Sequence, residues 1–127
     1  MCSMSRPILL RVIELGGYPD FRPLYEQAGY EVLTETRMRK AMSTIKKKKP
    51  SVIVAEFNFQ SDFRDRTSSL ESMMSVVERL PDTKVIVFYE QEYAYQFDRL
   101  LAVCSFYRSF TFPIPEEELA ASVQALV

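Results

Sequence analysis

The chain has 127 residues, enough for one domain, with 47% apolar and 26% charged residues, a balance that excludes a disordered or fibrous chain. Sixteen basic residues against 17 acidic ones leave a formal net charge of -1, which speaks against a dedicated nucleic-acid binder. Histidine is absent, so a histidine base, a catalytic triad and a histidine metal site are excluded. At the N-terminus, residues 1–7 are too short and polar for a signal peptide and are expected to be a flexible lead into a single domain over 8–127. Ile8 to Leu15 is mostly apolar and runs into Gly16-Gly17, as a buried strand ending in a turn would. Tyr18 to Gly29 is expected to form a short helix, with Asp20 as its N-cap, Pro23 in the first turn and Gly29 as its stop. Tyr30 to Thr34 is a second strand. Met38, Ala41, Met42 and Ile45 then recur at helical spacing and predict an amphipathic helix over Arg37 to Lys48. Lys46 to Lys49 suit the negative end of that helix's dipole, and Pro50 stops it.

Ser51 to Phe57 is almost continuously apolar, the pattern of a central parallel strand covered on both faces. Asn58 to Thr67 is a polar loop. Ser68 and Glu71 are spaced as a capping box, and Leu70, Met73, Met74, Val77 and Leu80 follow as an apolar helix face. Lys84 to Tyr89 is a further buried strand. Glu92 to Val103 is expected to be helical with Tyr93, Phe97, Leu100 and Leu101 inward, and Ser105 to Phe112 is a last strand. Pro115 opens a final helix with Glu116, Glu117 and Glu118 in its first turn, the favoured sign there. Five strand–helix units of this length predict an α/β, flavodoxin-like three-layer sandwich around a five-stranded parallel sheet of order 2-1-3-4-5. Cys2 and Cys104 are far apart in the sequence, and no apolar run approaches the ~20 residues of a membrane span, so a reduced, cytoplasmic protein is expected.

From Tyr30 to Phe59 the chain resembles a receiver domain of a bacterial two-component response regulator. A strand, a helix centred on Ala41, a Lys-Pro pair and an apolar strand follow in the family's order. The segment from Phe110 to Leu126 resembles the family's end, where a Lys-Pro pair precedes an acidic-capped helix. The first helix is about a turn shorter than the family's. The resemblance implies a phosphoacceptor aspartate after strand three, an acidic Mg²⁺-binding pair after strand one, a hydroxyl after strand four and a lysine before the final proline. The carboxylate serves as nucleophile, the metal and lysine balance the phosphoryl charge, and the hydroxyl reports its presence. Carried onto this sequence, the acceptor position is Glu56. The acidic pair falls on or near Gly16-Gly17, or alternatively on Val12-Ile13, with Glu14 the nearest acid. The hydroxyl position is Tyr89, and the lysine position is Phe112, followed by Pro113. Mg²⁺ demands octahedral oxygen ligation that this set does not offer. The expectation is a degenerate pseudo-receiver with no catalytic residue, no metal and no cofactor.

Glu56 is a candidate stand-in for a permanent phosphoryl charge, against the plain reading of a polar strand end. Phe88, Tyr89, Tyr93, Tyr95, Phe97, Phe106, Tyr107, Phe110 and Phe112 crowd the last third of the chain. They cannot all be core, so Tyr95 and Tyr107 are candidates for an interface on the face of the fourth helix, fifth strand and fifth helix. The resemblance points to the same face, with a protein partner or a homodimer as its occupant; the charge balance and the short apolar runs lead us to expect neither nucleic acid nor membrane as a partner. Lys46 to Lys49 are read as a solvated helix end, Asp62 and Asp65 as loop charges and Met73-Met74 as core filler. The alternative function is a small flavodoxin-like ligand or nucleotide binder using the crevice at the strand C-terminal ends, where Gly16, Gly17, Glu56, Asn58 and Tyr89 would gather.

Overall fold

The computed structural model describes residues 7–13, 20–57, 69–102 and 105–126, with only the backbone for Met38 and residues 69–72. The elements run β1 (Ile8–Val12), α1 (Arg22–Gln27), β2 (Glu31–Glu35), α2 (Met38–Lys48), β3 (Val52–Glu56), α3 (Ser69–Val77), β4 (Lys84–Tyr89), a 3₁₀ turn (Gln91–Tyr93), α4 (Ala94–Leu101), β5 (Arg108–Thr111) and α5 (Glu116–Gln124). All four strand pairings are parallel, and the order is β2-β1-β3-β4-β5, as the alternation of elements predicts.

Side-chain alternation along each strand feeds two separate cores. Leu10, Val12, Ile53, Ala55, Val85 and Val87 pack with Ala41 and Ile45 of α2, Met73, Met74 and Val77 of α3, and Phe97 and Leu100 of α4. Leu9, Val52, Val54, Ile86, Phe88 and Phe110 face the opposite side with Tyr25 of α1 and Leu119 and Val123 of α5. Every residue of β3 is buried, which its unbroken apolar run requires. Tyr30 clamps this second layer. Its hydroxyl donates to the Val123 carbonyl oxygen at 2.7 Å, and burial raises its pKa above that of a free phenol.

Several boundaries differ from the sequence reading for local reasons. Helix α1 starts at Arg22, with Phe21 at the N-cap, so Asp20 is not the cap. Asp20 acts one residue earlier: its Oδ1 accepts the Arg22 backbone N–H at 3.0 Å. Gly29 does end this helix, at φ +104°, a backbone state that suits glycine. Helix α2 ends instead on a lysine: Lys49 sits at φ 47° and donates its backbone N–H to the Ile45 oxygen at 3.0 Å. Helix α4 is shorter than predicted, begins after the 3₁₀ turn, and leaves Leu101 42% exposed where an inward position was expected. Its buried stripe is carried by Phe97 and Leu100, one turn apart, and Leu101 falls beyond its edge. Strand β5 keeps only the four residues that pair with Ile86 to Tyr89. The Ser68–Glu71 capping box, the loop with Asp62 and Asp65, and Cys104 lie outside the described residues and side chains. Among the described residues, no helix is long and apolar enough to cross a membrane.

Candidate functional site

In an open parallel sheet the crevice for chemistry lies beyond the carboxyl ends of the strands. Here the ladder pairs Val12 with Ala55 and Glu56 with Phe88. The next residue of β1's path, Ile13, therefore stands at the level of Glu56, and both line one cavity. The Val12-Ile13 placement thus sits beside the acceptor position, whereas Gly16 and Gly17 lie further along, outside the described residues. The cavity is also lined by Arg11, Phe21, Tyr25 and Phe88, and its free volume of about 20 Å³ holds little more than one water. Glu56 is the single carboxylate among these described lining residues, and it is only 5% exposed.

Arg11 is the feature that the sequence reading missed. It sits within an apolar strand, and nothing in its spacing marks it. Its side chain is 12% exposed and bridges three elements. Nη2 lies 3.3 Å from Asp20 Oδ1 ahead of α1, and Nη1 donates to Thr34 Oγ1 of β2 at 3.3 Å. A cation thus lines the cavity that Ile13 and Glu56 share. The Arg22 N–H, together with the Arg11 and Arg22 guanidiniums, holds the Asp20 carboxyl below its ordinary range. Burial drives the Tyr25 phenol well above its free value, so it stays protonated.

The remaining positions of the set are aromatic. Tyr89 ends β4 and is half-buried, its ring stacked on Phe97 at 4.3 Å and 19°. Phe97 also stacks on Phe106 at 5.8 Å and meets Phe57 at 5.3 Å. Tyr89 therefore belongs to a ring stack under α4. Phe112 follows β5 and is 45% exposed, and the Phe112–Pro113 peptide bond is cis.

On the α4–β5–α5 face, Tyr95 is 72% exposed and Tyr107 37% exposed. Tyr89, by contrast, packs against the core. Leu101 of α4 and Phe112, just past β5, are exposed apolar side chains as well. Arg108 joins β5 to α5 through Glu118 at 3.6 Å and covers the Phe110 ring at 5.1 Å.

Several solved receiver domains share this fold. A response regulator receiver domain from Clostridium thermocellum superposes with a TM-score of 0.73 at 12% identity, over 94% of this chain and 93% of that one. The receiver domain of an HD domain-containing protein from Pseudomonas fluorescens gives 0.73 at 12% identity, over 96% and 94%. A chemotaxis protein of Vibrio cholerae gives 0.70 at 18% identity, over 97% and 100%. At these identities the likeness establishes the fold alone, a receiver-like fold matched over 94–97% of the chain. No protein-family model matches the sequence, and no curated protein matches it.

Proposed function

We propose that this chain is a receiver-like signalling module that works without phosphoryl transfer, through protein–protein contacts of its α4–β5–α5 face. The observation that carries this reading is the content of the acceptor cavity. Glu56 is buried there among Arg11, Ile13, Phe21, Tyr25 and Phe88 and is the single carboxylate of the described lining residues, short of the oxygen ligands that Mg²⁺ demands. Glutamate, unlike aspartate, carries its carboxylate one methylene further out, and the lysine position holds Phe112. The partner is a protein or a second copy of the chain, not nucleic acid or a membrane. Tyr95 and Tyr107 offer it large rings at low entropic cost.

Incubation with acetyl phosphate and Mg²⁺, followed by intact-mass measurement, tests the loss of chemistry. The expected outcome is an unchanged mass, and a magnesium-dependent gain of one phosphate overturns the reading. Tyr95→Ala and Tyr107→Ala are expected to weaken partner binding or dimerisation while leaving the circular dichroism spectrum intact. Glu56→Gln separates the two roles of that residue: altered partner affinity in a folded protein supports a fixed phosphoryl mimic, and unchanged affinity removes that role.

A further inference from the structure

Because every strand is parallel, the helix C-terminal ends meet the strand N-terminal ends at one pole, where lysines and arginines gather alongside Glu31, Glu78 and Asp82, while Arg37, Arg39 and Lys40 stand at the other pole. The pole at the strand N-terminal ends receives the close of α2 with Lys46, Lys47, Lys48 and Lys49, the close of α3 with Arg79, and Lys84 at the start of β4. These segments are stitched together there. Thr83 Oγ1 donates to the Pro50 oxygen at 2.7 Å, and the Lys84 N–H donates to the Ser51 oxygen at 3.0 Å. Between α2 and α3 a groove of about 340 Å³ opens, with half-buried Val76 and Leu80 for its apolar surface and exposed Lys46 and Arg79 along it. Neither cation makes an ion pair among the described residues. Such a groove fits an acidic segment that carries an apolar side chain.

The chain presents that segment at its other pole. Phe112 is 45% exposed beyond the end of β5, and Glu116 and Glu117 stand exposed in the first turn of α5. Glu90, just past β4, adds to the same end. A net charge of -1 leaves almost no global repulsion between copies, so these local fields decide how two molecules meet. We infer that the α2–α3 groove of one molecule receives the Phe112–Glu118 segment of a second copy, giving weak head-to-tail self-association. The contact joins two different surfaces, so it does not close at a dimer unless the rotation forms a ring. It uses the end of β5 and the first turn of α5 and neither Tyr95 nor Tyr107, and it stands whether or not those tyrosines bind a partner.

Sedimentation equilibrium of the full chain at low and high salt tests this. At ~10 mM salt, where the Debye length is about 30 Å, the average mass is expected to rise with protein concentration past that of a dimer. At ~1 M salt, where it is about 3 Å, the mass is expected to fall back toward a monomer. The double variants K46E/R79E and E116K/E117K alter exposed positions only. Each alone is expected to associate at least tenfold more weakly, and a 1:1 mixture of the two is expected to associate again, because each then supplies the sign that the other lacks. Tyr95→Ala with Tyr107→Ala is expected to leave this association unchanged. A wild-type chain that stays monomeric at low salt overturns the inference, as does association that survives both charge reversals. Association lost only in the tyrosine variants assigns the contact to the other face and likewise overturns it.

Discussion

Lys49 holds a backbone state that favours glycine, at φ 47°, so that α2 can stop before Pro50 and turn into β3. A side chain with a Cβ pays for that conformation. Lys49→Gly is therefore expected to stabilise the domain by about 0.5–1 kcal/mol, read as a higher urea midpoint with an unchanged slope. Asp20 gives a pH dependence whose sign follows from its surroundings. Its pKa is lowered in the folded chain, chiefly by the Arg22 N–H, against the opposing effect of burial, with the Arg11 and then the Arg22 charge adding to the lowering. Its contribution is thus fully present above the ordinary value of 3.8 and is lost as pH falls through the lower folded value. Asp20→Ala is expected to lower the urea midpoint at pH 7, with the gap to wild type shrinking as the pH is taken below 3.8. The effect will be modest because the carboxylate is exposed to solvent.

Among the elements, α4 depends most on a single side chain. Phe97 is buried between Tyr89 and Phe106 and also touches Phe57, so it joins β4, the end of β3 and the approach to β5. Phe97→Ala is expected to cost about 3–5 kcal/mol, a large part of the ~5–15 kcal/mol that holds a domain of this size. Thermal unfolding by circular dichroism would show it as a large drop in midpoint. The same element shows what the sequence made legible. Strands β3 and β4 were readable because burial on both faces leaves an unbroken apolar run, and α2 because Ala41 and Ile45 repeat at helical spacing. The extent of α4 was not, since Leu101 continues the apolar periodicity after the packing surface has ended. Arg11 escaped for a related reason. A charged residue within a strand shows neither the face it points to nor its partners, which come from Asp20 and from Thr34, 23 residues away. The place of Glu56 at the close of strand three was legible because the apolar run ends there.

For the molecule as a whole, the sheet is graded from centre to edge. β3 lies between β1 and β4, and all of its residues are buried, whereas β5 is a four-residue margin with Arg108 largely exposed. Opening the margin uncovers little apolar surface, while freeing the centre requires both cores to come apart. This grading leaves a record in the exchange of amide protons with heavy water. The amides of Ile53 to Ala55 are expected to exchange last, at a rate set by global unfolding, and those of Arg108 to Thr111 orders of magnitude sooner. Equal protection in the two strands, read by NMR, would mean that the sheet opens as one unit. A graded sheet also lets a partner seated beside β5 slow deuterium uptake there without altering it in β3, so exchange can locate a bound partner on this chain before the partner has a name.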